Sequence, residues 1–167
     1  METKYIIYKN FNNKKKLTNK IRLTNFLNLK YLFSKYPLLK SLTNDYNYSF
    51  KKKNLHYFKK YNEFNLIGMG GSVLGAEAIY DFLNHKIKKK FYFFSNLQNI
   101  KILQSKKKRL NIIISKSGNT LETVSNLNLI LTKQKKNKNL IITENKNNIL
   151  RVIANKIKSN VIEHKNY

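Results

Sequence analysis

From Glu63 onward the chain alternates short apolar runs with stretches whose apolar residues recur every three or four positions. Phe64-Asn65-Leu66-Ile67, Phe91-Tyr92-Phe93-Phe94, residues 111–114 and residues 140–142 are four apolar runs of strand length, and residues 160–162 are a fifth. Between them, residues 73–83 place Leu74, Ala78 and Phe82 on one helical row with Ile79 and Leu83 beside it. Residues 97–104 read as a short helix. Leu121, Val124, Leu127 and Leu131 mark another helix, and Ile149, Ile153 and Ile157 a last one. A 3.6-residue period buries one face of a helix, and an unbroken apolar run suits a strand covered on both faces. Strict alternation of the two predicts βαβ units and a parallel sheet flanked by helices, each crossover right-handed.

The first 62 residues differ in texture. They contain no glycine and the single proline, Pro37. Phe26, Leu29, Leu32, Phe33 and Tyr36 follow a helical spacing over 25–36, which Pro37 should break. Residues 54–61 read as a second short helix. The expected organisation is a helical arm over 1–62, in which no chemistry is visible, and an α/β domain over 63–167.

Composition changes this picture little. A chain of 167 residues suffices for one domain with a real core. There is no cysteine, which excludes disulfides and thiolate metal sites. No apolar run approaches a membrane span, and residues 1–20 are lysine-rich without an apolar core, so neither membrane anchoring nor a secretory signal is expected and the cytoplasm is the expected location. The net charge of +26 raises the question of nucleic acid. Yet lysine far outnumbers arginine, the lysines are dispersed along the chain, and Asn, Ile, Tyr and Phe are abundant, as in the products of A+T-rich genes. No nucleic-acid partner is therefore expected; the positive field would still draw in small anions.

The candidate chemistry sits in two loops. The first, Gly68-Met69-Gly70-Gly71-Ser72, directly follows a predicted strand and precedes a predicted helix. Its glycines permit positive φ and close approach of a ligand, and Ser72 is expected to cap the helix. It lacks the Gly-Lys-Ser/Thr of a Walker loop, and Val73 stands where a dinucleotide fingerprint needs its third glycine. The second loop, Ser115-Lys116-Ser117-Gly118-Asn119-Thr120, again joins a strand to a helix and brings three hydroxyls within six residues. Hydroxyls and free N–H groups at a helix N-terminus suit the oxygens of a phosphate. Asn119 and Glu122 have the spacing of a capping box, so Glu122 is expected to be structural.

One βαβ unit apart, Gly-Met-Gly-Gly-Ser at 68–72 and Ser-Lys-Ser-Gly-Asn-Thr-Leu-Glu-Thr at 115–123 resemble the paired loops of the sugar isomerase (SIS) fold, and within it those of the glucose-6-phosphate isomerase family. The resemblance spans about residues 64–164. It implies a flavodoxin-like, five-stranded parallel sheet. It implies that Ser115, Ser117 and Thr120, with the Lys116 backbone, hold a substrate phosphate, and that Gly70, Gly71 and Ser72 contact the sugar. It also implies glucose 6-phosphate and fructose 6-phosphate as ligands, no cofactor or metal, a place in glycolysis and gluconeogenesis, and a homodimer for full-length members.

Aldose–ketose isomerisation through an enediol needs a general base, a ring-opening acid and a cation beside the enediolate. In the family these are a Glu, a His, a Lys and an Arg that lie after the matched segment. The chain is thus expected to be the N-terminal portion of such an enzyme, truncated at its C-terminal end, binding phosphosugar without the acid–base groups. Glu77, Asp81, His56, His85 and His164 lie in no catalytic or metal spacing, and Glu144 falls at the ligand end of the fourth strand. Two other readings are a bifunctional phosphoglucose/phosphomannose isomerase, against which Lys116 counts because tyrosine is expected there, and a non-catalytic phosphosugar sensor, for which 1–62 would need a helix-turn-helix.

Overall fold

The computed structural model describes residues 31–43, 46–97, 108–134 and 137–165. The chain divides after Tyr46 into two compact units. In the first, residues 31–35 are α-helical and Pro37–Leu42 forms a 3₁₀ turn, so the helix ends where proline should end it. The part of that helix predicted over 25–30 lies outside the described residues.

The second unit opens with a helical turn, Lys52–Leu55, that tightens into a 3₁₀ helix, His56–Lys60. Five strands follow: β1 (Glu63–Gly68), β2 (Lys90–Phe94), β3 (Leu110–Ile114), β4 (Lys138–Thr143) and β5 (Asn160–Glu163). Helix α1 (Leu74–Leu83) joins β1 to β2, α2 (Leu121–Lys133) joins β3 to β4, and α3 (Ile149–Lys156) joins β4 to β5. All strand pairs are parallel, in the order β2-β1-β3-β4-β5. This is the flavodoxin-like order, whose switch point lies between β1 and β3. The short helix predicted over 97–104 falls on residues that, after Leu97, lie outside the described ones.

Strand alternation sorts the core into two faces. Ile67, Ile113 and Ile141 point to one face, where Leu127 and Ile130 of α2 and Leu150 and Ala154 of α3 cover them. Phe64, Leu110 and Leu140 point to the other, against Tyr61 and Phe58. There Phe64 stacks on Phe91 at 4.7 Å, and Tyr80 of α1 packs on Phe91 and Phe93. Every residue of β1 is buried, as a strand covered on both faces requires.

The row read for α2 meets the core through Val124, Leu127 and Leu131, whereas those read for α1 and α3 are shifted in phase. On α1, Leu74, Ile79 and Phe82 are exposed, and no α1 residue is buried; the contact with the sheet is made through Tyr80. On α3 the fully buried residues are Leu150 and Ala154, one position after Ile149 and Ile153; Ile149 is exposed, while Ile153 packs half-buried against the same core. A side chain covers the turn N-terminal to its own Cα, so adjacent i,i+4 rows compete for one contact and packing chooses between them.

Polar side chains also lie in the core. Asn65, Asn111 and Asn139 are in register on β1, β3 and β4. Asn65 Nδ2 donates to Asn111 Oδ1 at 2.8 Å, and Asn111 Nδ2 donates to Asn139 Oδ1 at 2.8 Å. Gln134, just after α2, accepts from Asn65 at 3.0 Å and from Asn137 at 2.7 Å. Below this ladder Arg109, 3% exposed, pairs with Glu63 at 2.8 Å and stands over the Tyr92 ring at 4.2 Å.

Replacing the middle member takes a hydrogen-bond partner from both Asn65 and Asn139, leaving Asn65 only its bond to Gln134. Asn111→Leu is expected to cost about 3 kcal/mol, since each buried polar group left unpaired costs roughly 1–3 kcal/mol. Urea unfolding checks this, and a loss under about 0.5 kcal/mol would show that the ladder does not hold the sheet.

Candidate functional site

The pairing of β1 with β3 sets Gly68 opposite Ile114, so the loops that follow begin side by side at the switch point. A Cβ on Gly68 would lie 2.8 Å from Ile114 O and 2.7 Å from Val73 Cγ2; the two segments approach this closely because position 68 has no side chain. Ligands of open α/β sheets bind at this end of the strands.

In the first loop Gly70 takes a positive φ of 52° and Gly70–Ser72 forms a 3₁₀ turn. Gly71 is exposed, and a Cβ there would meet nothing within 4 Å. Ser72 does not cap the helix as expected. It lies inside the 3₁₀ turn, donates its N–H to Met69 O, and leaves the N-cap position of α1 to Val73, which offers no side-chain acceptor.

The second loop is held from within. Ser115 is 3% exposed; its Oγ lies 2.9 Å from Thr120 Oγ1 and accepts the Gly118 N–H at 3.1 Å. Ser117 is exposed, and its Oγ accepts the Asn119 N–H at 3.3 Å. Thr120 is half-buried and is the N-cap residue of α2, with no side-chain hydrogen bond to the helix. The expected Asn119–Glu122 capping box is therefore absent. Asn119 instead turns to the next crossover and accepts the Ile149 N–H at 2.9 Å. The first N–H groups of α2 have no side-chain cap, the condition that favours an anion.

Sequence reasoning misses one residue that organises the site. Asn148, buried, caps α3 by accepting the Arg151 N–H at 2.9 Å. Its amide also donates to Thr143 Oγ1 at 3.2 Å and Lys146 O at 3.1 Å. It packs against Gly118, whose φ is 70° and whose Cβ, were there one, would overlap the Asn148 carboxamide. Asn immediately before the Ile149 row is a legible N-cap signal; its contact with Gly118 is not.

Glu144 also belongs to this end. Its N–H donates to Lys116 O at 3.1 Å, and its carboxylate lies 3.0 Å from Lys146 Nζ and 3.7 Å from Lys116 Nζ. The structure thus brings Ser115, Lys116, Ser117 and Thr120 into one compact loop, with Gly70, Gly71 and Ser72 on the neighbouring one. Two concavities of about 640 Å³ each open at the opposite end of the sheet, around Tyr57 and Lys138. They lie at the amino ends of the strands, where open α/β sheets do not place ligands. Among the described residues no cluster of His, Asp and Glu could hold a metal ion, and no helix is long and apolar enough to cross a membrane.

The fold is that of the sugar isomerase (SIS) domain. The structure superposes on tagatose-6-phosphate ketose/aldose isomerase from Escherichia coli with a TM-score of 0.54 and 21% identity, over 86% of this chain and 36% of that one. It superposes on a hypothetical protein from Thermus thermophilus with a TM-score of 0.56 and 20% identity, over 86% of this chain and 40% of the other. In sequence the chain resembles glucose-6-phosphate isomerases. It is 39% identical to the one from Borreliella afzelii over 90 residues, 47% of this chain and 17% of the relative. It is 40% identical to the one from Methanocaldococcus jannaschii over 92 residues, 50% of this chain and 23% of the relative. The matched segment is thus about a fifth of the length of these relatives. No family model matches the chain.

The Gly118–Asn148 contact yields a test. Gly118→Ala is expected to cost roughly 2–3 kcal/mol, from backbone strain at positive φ and loss of the α3 cap. Adding Asn148→Ala removes the overlapping carboxamide, so the double variant should lose less than the sum of the single ones. Additive losses in denaturant unfolding would mean that the two residues do not touch.

Proposed function

We propose that this chain is the phosphosugar-holding portion of a glucose-6-phosphate isomerase, the enzyme that interconverts glucose 6-phosphate and fructose 6-phosphate. The phosphate lies in the Ser115–Thr120 loop, against the uncapped N-terminus of α2. Ser117, Thr120 and the Lys116 backbone face it, and Ser115 holds the loop in shape. Gly70, Gly71 and Ser72 line the sugar. The observation that carries this reading is the adjacency of the two loops across the β1–β3 switch point, one supplying hydroxyls and free N–H groups and the other open backbone. Similarity to glucose-6-phosphate isomerases over about half the chain supports glucose 6-phosphate as the ligand.

The chain binds and does not turn over. Enediol chemistry needs a base free to take the C2 proton. Glu144, the carboxylate braced against the phosphate loop through Lys116, is engaged by two lysines instead. The acid–base groups come from the part of the enzyme that the matched segment does not span.

Thermal and chemical unfolding with glucose 6-phosphate, or with the open-chain analogue 6-phosphogluconate, test the site. Ligand at ten times its dissociation constant should stabilise the fold by about 1.4 kcal/mol. Ser117→Ala should remove most of that gain while leaving the unliganded midpoint nearly unchanged; Thr120→Ala should remove it too, at a cost of about 1 kcal/mol to the unliganded fold for the lost bond to Ser115. Absence of any shift at millimolar ligand would sink the binding reading, and isomerase turnover by the purified 167-residue chain would sink the division of labour.

A further inference from the structure

Glu144 has no part in the phosphate contacts described above, yet it is built into the same corner. It follows β4 directly, and its main chain is bonded on both sides: its N–H to Lys116 O, and its carbonyl to Arg151 Nε at 2.9 Å. The side chain is 8% exposed, whereas those of its two lysine partners are 64% and 70% exposed. A carboxylate so far out of water is costly unless it is paired. Lys146, at 3.0 Å, pairs with it at hydrogen-bonding distance. Lys116, at 3.7 Å, is the looser partner, and it belongs to the loop that would hold the phosphate.

We propose that Glu144 is a positioning residue that holds the Lys116 ammonium beside the Ser115–Thr120 loop and yields it to an incoming phosphate dianion, with Lys146 remaining as its counter-ion. This rests on the phosphosugar reading of the site. Glu144 then opposes binding in two ways: it competes for Lys116, and its charge repels the ligand. A dianionic phosphate monoester outcompetes one carboxylate for the ammonium, and a monoanion gains less. A repulsive group of this kind serves selectivity at the expense of affinity.

Isothermal titration of the full chain with glucose 6-phosphate at low salt tests the proposal. Glu144→Gln should bind on the order of threefold more tightly, the scale of a partly exposed ion pair. In a Lys116→Met background the same change should give less than half that gain, because the ammonium it would free is gone. Lys146→Met changes only an exposed side chain. It should weaken binding roughly threefold, because Glu144 then keeps Lys116 to itself. Lys133→Met, at the far end of α2, removes the same charge and should do much less. Should Glu144→Gln fail to fold, the Lys146 and Lys133 variants decide the matter.

Wild-type binding with Glu144→Gln equal or weaker, or with Lys146→Met no different from Lys133→Met, would overturn the role of Glu144 alone. A wild type that binds no glucose 6-phosphate would overturn the phosphosugar reading and this proposal with it.

Discussion

Parallel strands that lie side by side must send their following loops to the same end of the sheet, and in this chain the pairing of β1 with β3 is the constraint on which the site depends. These strands are not consecutive: β2 lies between them in sequence and on the far side of β1 in space. The order reverses at their junction, and a crevice opens there because the helices leave in opposite directions. Gly68 makes the approach possible, since a methyl group at that position would press on both Ile114 and Val73. Both candidate loops are direct continuations of this one pair of strands.

The crossover after β4 braces the second loop from outside. Asn119 reaches forward to the α3 N-terminus, Leu150 donates its N–H to Gly118 O, and Glu144 donates its N–H to Lys116 O. These bonds fix the Ser115–Thr120 loop from the side away from β1. Their effect on function is preorganisation: donors already held in position lose little freedom when an anion arrives. α3 is capped by Asn148 while α2 has no side-chain cap, so the free donors are concentrated at the helix that follows the hydroxyl-rich loop.

Much of this is legible in the sequence. The five strands and the helices α1, α2 and α3 appear where apolar runs and 3.6-residue rows place them, because burial on two faces and on one face leave different periods. The loops are legible because glycine and hydroxyl residues are unusual just after a strand. The failures share a cause. Local spacing makes Ser72 and Asn119 caps of their own helices, whereas the chain tightens into a 3₁₀ turn at Ser72, and Asn119 finds its partner 30 residues away. The exposure of Leu74, Ile79 and Phe82 on α1 and of Ile149 on α3 depends on packing against a sheet that no local window contains. The amide ladder is hidden most thoroughly: asparagine is poor in strands and abundant in this chain, so Asn65, Asn111 and Asn139 carry no visible signal.

That ladder bears on how such a chain can change over generations. Its members share amide hydrogen bonds, so exchanging one for an aliphatic residue takes a partner from its neighbours, while exchanging all of them together would remove that mutual dependence. The two states are both foldable, but the single steps between them pass through a less stable protein. Drift that freely exchanges an exposed lysine for another polar residue meets a barrier here, which favours the three positions changing together.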